Sequence, residues 1–364
     1  MRRSSPSTSV LDPVGVTQRR ATPSTENRGL TISRLDVIRR QFRRKGFSEP
    51  LVKLLVASNR TSTLSTYESA WRGWSHWCFQ RGENPLSVSL NSVLEFLAHL
   101  YQSGKAYSTI NINRSMLSKT LPPFNGNPVG IHPLVKNLLD GCYNLNPPKP
   151  RYDCTWDPNA VINYLSALGE NRSLAISVLT RKTVMLLALA SLLRVSELAS
   201  INLSSIIFSN SGVTFTLLKP RKAQHNGPLQ SIVIPGLPDS ACCPVEAVRV
   251  YVDRTSTHRN DTNINSLFIS FISPHGKVTA NTISGWIRSA LASSGIDTSL
   301  FKAHSTRGAA ASKALASGMS VDRILKAGHW SSASTFGRFY QRDAIAPMTP
   351  AIFNSGAGGS RDQL

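Results

Sequence analysis

His304-Ser305-Thr306-Arg307 is the stretch on which the reading of this chain turns. A histidine and an arginine three residues apart at the head of a helix can face one ligand, beside backbone N–H groups that favour a phosphate. The short residues Gly308-Ala309-Ala310-Ala311-Ser312 that follow let such a helix pack closely. Downstream come Gly328-His329-Trp330 and then Phe339-Tyr340-Gln341-Arg342, and far upstream lies Leu193-Arg194-Val195-Ser196-Glu197-Leu198. Two arginines, two histidines and a tyrosine suit gripping a phosphodiester and attacking it with a phenol oxygen.

The chemistry needs these residue types. A phosphodiester repels nucleophiles, and its pentavalent transition state carries still more charge. Guanidiniums answer this with bidentate hydrogen bonds to the non-bridging oxygens, a geometry that lysine copies poorly. Arg194 and Arg307 are the candidates. Arg194 closes a strongly apolar segment, where its charge is costly unless an anion awaits it. Glu197, three residues on, is placed to orient it. Tyr340 is the candidate nucleophile; a phenol with a pKa near 10 needs surrounding cations to ionise.

The 364 residues are 41% hydrophobic, enough for two domains with cores. Lys and Arg number 41 against 20 Asp and Glu, a formal charge of +21 that favours a polyanionic partner and salt-sensitive association with it. The five cysteines, at 78, 142, 154, 242 and 243, form no disulfide framework and no Cys-x-x-Cys pair, so zinc is not expected and the thiols read as reduced. No apolar run has the length of a signal peptide core or a transmembrane span, which predicts a soluble intracellular protein and no membrane partner.

Residues 1–47 read as a basic, disordered tail in which Ser, Thr and Pro abound and apolar periodicity is absent up to residue 33. Residues 48–143 read as a bundle of short helices. Tyr67, Trp71, Trp74 and Cys78 share one face of a helix, with Ser65 and Glu68 as its capping box. Trp71, Trp74 and Trp77 at that spacing are expected in the core rather than as a base-stacking platform. Leu90, Val93, Leu94, Leu97 and Tyr101 define a further helix that stops at Gly104. Arg72, Lys105, Arg114 and Lys119 are the basic residues of this region that could contact phosphates.

The proline-rich residues 144–156 form the linker, and Asp157-Pro158 is a strong helix start. Residues 157–345 read as the second domain, with helices at 173–191, 245–254, 282–292, 304–316 and 321–326. Alternating apolar residues over 206–235 predict a small antiparallel sheet. Lys219, Arg221 and Lys222 sit in its turn, where all could meet backbone phosphates. Residues 346–364 are expected to be a flexible tail. The fold class is therefore mostly α with a small antiparallel β-sheet.

The order Arg194, Lys222 or Lys219, His304, Arg307, His329 with Trp330, and Tyr340 resembles the tyrosine recombinase or phage integrase family, over roughly residues 50–345. The resemblance implies a helical, SAM-like core-binding domain clamping duplex DNA with a mixed α/β catalytic domain. It implies a 3′-phosphotyrosine on Tyr340 formed without metal, ATP or other cofactor. His304 would then be an acid/base or phosphate-contact residue, and a lysine on the sheet turn would protonate the departing 5′-oxygen, Lys222 before Lys219. His329 or Trp330 would hydrogen-bond the phosphate. Leu193 occupies the place before the arginine where many relatives carry glycine. Strand exchange would require a homo-oligomer, a tetrameric synapse on DNA. Residues 215–222 and His329-Trp330 look more like recombinases of eukaryotic mobile elements, including DIRS-type retrotransposons, which implies a nuclear location in a eukaryote and a cytoplasmic one otherwise. The alternatives are a type IB topoisomerase-like enzyme and a domesticated, non-catalytic DNA-binding protein of the same fold.

Overall fold

A computed structural model describes residues 32–149, 154–222, 224, 226–260, 264–330 and 332–339. The chain divides into two compact units, residues 1–149 and 150–364, each with its own core.

The first unit is helical: α1 Arg34–Arg44, α2 Glu49–Ala57, α3 Thr61–Gln80, α4 Leu90–Gln102, α5 Tyr107–Ser118 and α6 Pro133–Leu145. The tryptophans of α3 are buried as their spacing requires, Trp74 stacking on Trp77 at 5.6 Å with Phe96 of α4 edge-on to both. In α4 the Ser89 hydroxyl accepts the Ser92 N–H, and Gly104 beyond its end adopts φ 69°, a left-handed conformation that glycine takes without strain.

Two expectations are corrected here. The stretch read as part of a disordered tail forms α1, capped by the Ser33 hydroxyl, which accepts the Leu35 N–H. It docks through an arginine: Arg34 is buried, its Nε donates to Thr120 Oγ1 at 2.7 Å, and its guanidinium lies 4.9 Å from the Tyr67 ring centroid. Nor do Ser65 and Glu68 cap α3, which begins at Thr61. Glu68 accepts instead from the Arg34 N–H at 3.2 Å, serving α1.

The second unit contains α7 Pro158–Ala167, α8 Ile176–Ser191, α9 Val195–Leu198, the strands β1 Ile206–Phe208, β2 Gly212–Thr216 and β3 Ser231–Pro235, then α10 Pro244–Arg254, α11 Ser256–Asn260, α12 Ala280–Ser293, α13 Ser305–Ala316, α14 Val321–Gly328 and α15 Ala333–Phe339. The Asp157 carboxylate accepts the Asn159 N–H at 2.9 Å to open α7. The strands form an antiparallel sheet in the order β1-β2-β3, with Val213 opposite Ile234 and Phe215 opposite Ile232. Val213, Phe215 and Ile234 turn into the core, while Ile207 and Val233 on the other face are exposed.

The apolar run Val184, Met185, Leu186, Leu187 and Ala188 of α8 is buried, with α9, α10, α12 and α13 packed around the helix. Its C-terminus therefore projects a rigid turn toward the start of α13. A smaller cluster of Leu192, Ala311, Ile324, Trp330 and Phe336 pins α14 and α15 onto α13. Among the described residues no helix is long and apolar enough to cross a membrane.

Candidate active site

The turn that carries Arg194 begins at Leu192, which ends α8 in the left-handed conformation at φ 52°. The left-handed position is thus Leu192, while Leu193, which stands where many relatives carry glycine, is not left-handed. Arg194 then caps α9. The Glu197 carboxylate accepts the Arg194 backbone N–H at 2.9 Å and its Nη1 at 2.8 Å, closing a four-residue box. The Arg194 side chain keeps 19% of its surface exposed, so the face turned away from Glu197 is open to a ligand.

Arg307 enters from the first turn of α13 and is only 1% exposed. Its Nε donates to the Leu192 carbonyl at 2.6 Å and its Nη2 to the Gly328 carbonyl. The guanidinium carbon stands 4.6 Å from the Trp330 ring centroid. One side chain thereby joins the turn that bears Arg194 to the turn that bears His329.

His329 ends α14, also left-handed, at φ 53°. Gly328 before it has no room for a side chain, since a Cβ there would fall inside the Trp330 ring. The sequence left open which of His329 and Trp330 turns inward. His329 lines a cleft of about 640 Å³, with Ser191, Arg221 and the β2–β3 loop, while the Trp330 ring packs 5.4 Å from Phe336 beneath Arg307. His329 Nε2 is buried and has no hydrogen-bond partner among the described residues.

Arg221 requires correction. Expected at the surface among phosphates, it is 2% exposed. Its Nε and Nη2 each donate to Glu197 at 3.3 Å, Nη1 donates to the Ala327 carbonyl at 3.2 Å, and Nη2 also reaches the Gly328 carbonyl at 3.3 Å. Glu197 therefore serves two guanidiniums. Burial opposes its ionisation, but the Arg194 N–H and the charges of Arg221 and Arg194 outweigh it and hold the carboxyl below its usual range. At His329 burial and then the charges of Arg221 and Arg194 act together, lowering the imidazole pKa.

The other sequence candidates lie as follows. His304 is the exposed N-cap residue of α13, one turn before Arg307. Lys219 and Lys222 are both exposed on the β2–β3 loop, either side of Arg221. Tyr340 lies outside the described residues. In the first unit Arg72, Lys105 and Lys119 are exposed, whereas Arg114 is half-buried, donating to Asn111 Oδ1 at 2.9 Å and to the Gly130 carbonyl at 2.6 Å. Gln230, which no sequence motif marks, contacts the His329 ring directly: its amide nitrogen is 2.8 Å from Nδ1.

Arg194, Arg221, Glu197, Arg307 and His329 thus come from four separate segments to one place. Three guanidiniums fixed by carbonyl and carboxylate groups, beside an imidazole whose pKa is lowered, make a site for an anion with tetrahedral oxygens.

Residues 163–345 match the family model described as Phage integrase family. The chain is 23% identical over 263 residues to an integrase/recombinase xerD homolog of Selenomonas ruminantium, covering 70% of this chain and 73% of that protein. Its fold is similar to that of the Tn1549 transposon integrase solved with transposon right end DNA, with a TM-score of 0.54 at 16% identity over 88% of this chain and 98% of that one. It is similar also to the XerH site-specific recombinase bound to a palindromic difH substrate, with a TM-score of 0.53 at 11% identity over 80% and 79% of the two chains.

Proposed function

Because the chain belongs to the phage integrase family, we propose that it is a site-specific DNA recombinase that cleaves and rejoins duplex DNA through a 3′-phosphotyrosine on Tyr340, with no metal or ATP. The observation that carries this reading is the position of Arg307, whose guanidinium spans the Leu192 and Gly328 carbonyls between the turns of Arg194 and His329.

The residues then divide the work. Arg194 and Arg307 bind the non-bridging oxygens and offset the charge that grows in the pentavalent state. The Tyr340 phenolate forms a bond to phosphorus as the 5′-oxygen departs. His304 holds the phosphate or accepts the phenol proton, and Lys222, or Lys219, protonates the leaving oxygen. The bond energy kept in the phosphotyrosine drives rejoining. Residues 48–143 would act as the core-binding domain and 157–345 as the catalytic domain, with Arg72, Lys105 and Lys119 toward DNA phosphates. Exchange between two sites would take several protomers, a tetramer by analogy with the family. The finer placement among eukaryotic mobile-element recombinases rests on residues 215–222 and His329-Trp330 alone, and the relatives matched include a bacterial homologue and a transposon integrase.

The test is a nicked suicide duplex incubated with the protein in chelator. A covalent adduct on a denaturing gel, lost in Tyr340→Phe, supports the proposal. DNA retention with no adduct points to a non-catalytic binder, and supercoil relaxation by a monomer to a topoisomerase-like enzyme.

A further inference from the structure

A hydrogen-bond relay runs from Glu197 through Arg221 and Gln230 to His329, and its donor and acceptor roles can be assigned by elimination. Arg221 Nη1 lies 3.3 Å from Gln230 Oε1. A guanidinium has five N–H donors and no acceptor, so the amide atom that faces it must be the oxygen. This hydrogen-bond partner fixes the amide orientation. The amide nitrogen must then face His329, and it stands 2.8 Å from Nδ1. An amide NH₂ only donates, so Nδ1 accepts and carries no proton. In a neutral ring the single proton is left on Nε2, the buried atom with no partner among the described residues.

We propose that Arg221 and Gln230 are positioning residues that hold His329 as its Nε2–H tautomer, so that the imidazole offers a hydrogen-bond donor to the phosphate oxygen and takes no proton from Tyr340. The inference rests on the recombinase reading for its ligand, since a phosphate is what gives Nε2–H its partner. Arg221 is itself fixed by Glu197 and by the Ala327 and Gly328 carbonyls, so the relay cannot rotate without breaking bonds at the turn that carries His329. The backbone at φ 53° sets the ring's position and the relay sets its protonation. Burial and the neighbouring guanidiniums favour the neutral ring that this requires. A motif scan overlooks the arrangement because Gln230 is uncharged and Arg221 resembles its basic loop neighbours.

Tautomers are read directly from imidazole nitrogen shifts. In full-length protein labelled with ¹⁵N-histidine, at mildly alkaline pH and without DNA, signals absent from His329→Gln are those of His329. The expected result is an unprotonated Nδ1 and a protonated Nε2. In Gln230→Glu, whose carboxylate only accepts, the proton should move to Nδ1 or the ring should ionise. A wild-type ring protonated on Nδ1, or a ring unchanged in Gln230→Glu, overturns the proposal. In the suicide-duplex assay, Gln230→Leu should slow adduct formation on the order of tenfold, as loss of an orienting partner of a functional histidine does. In a His329→Ala background the same change should have little effect. Equal losses in both backgrounds would make Gln230 merely structural and overturn the proposal. Absence of adduct in the wild type would refute the recombinase reading instead, and the nitrogen shifts would still decide the tautomer.

Discussion

Arg307 Nε donates to the carbonyl oxygen of Leu192 at 2.6 Å, across 115 residues of sequence. A carbonyl bound to a guanidinium fixes the plane of that guanidinium, and with it the direction in which the remaining N–H groups point.

Arg307→Lys keeps the charge and discards the fork. An ammonium has three donors but carries them on one atom, so it cannot span the Leu192 and Gly328 carbonyls as the planar fork does while meeting a phosphate oxygen. Adduct formation should fall by about 10²-fold or more, the loss seen on removing one donor from an oxyanion site. Arg307→Ala should also lower thermal stability, by about 1–3 kcal/mol for the buried Leu192 carbonyl left unpaired, since the Gly328 carbonyl keeps its bond from Arg221. Wild-type cleavage rates in Arg307→Lys would show that the fork is not used.

Glu197→Gln leaves Arg194 and Arg221 facing one another with no carboxylate between them. Removing one partner from a buried ion pair costs about 3–5 kcal/mol, and chemical denaturation should show a loss of that order. A loss below about 1 kcal/mol would mean the guanidiniums are solvated well enough to need no counter-charge.

Acid should weaken the fold in two steps. His329 is a base whose folded pKa is depressed, so below its usual value near 6.5 the unfolded chain binds more protons and stability falls as pH drops. Glu197 is an acid whose folded pKa is depressed. Its contribution is present above the usual carboxylate value near 4.3 and is lost as pH falls through the folded one. His329→Gln should remove the first step and leave the second. Denaturant midpoints across the pH range would test this; an unchanged profile in His329→Gln would be against it.

Gly328→Ala places a methyl group where the Trp330 ring lies. The ring must shift, at a cost of about 1–3 kcal/mol for overpacking, and it moves from beneath Arg307 as it does so. Lower melting temperature together with slower cleavage is expected; unchanged values of both would show that the ring relocates freely.

Much of the fold was legible because local rules set it. Period 3.6 located α4, the unbroken apolar run of residues 184–189 located α8, Asp157-Pro158 located α7, and alternation located β2 and β3. What was not legible depends on contacts between distant residues. Arg34 sits in a basic run that reads as a solvated tail, and only its bonds to Thr120 and the Tyr67 ring turn that run into a docked helix. Arg221 lies between Lys219 and Lys222 with nothing local to separate it from them, yet it is the buried member, selected by Glu197 and the carbonyls of residues 327 and 328. Gln230 had no signal at all. Arg194, Arg307 and His329, which the structure brings together, were picked out because their chemistry is uncommon in combination, whereas the residues that support them are ordinary.

Leu192 and His329 are both wound left-handed, a conformation that costs a residue such as leucine about 1–2 kcal/mol. Arg307 grips the carbonyl of the first and that of the residue just before the second. The two are sprung backbones under a single latch: release the guanidinium and both recoil together, so injury at this one position spreads along two arms of the chain at once.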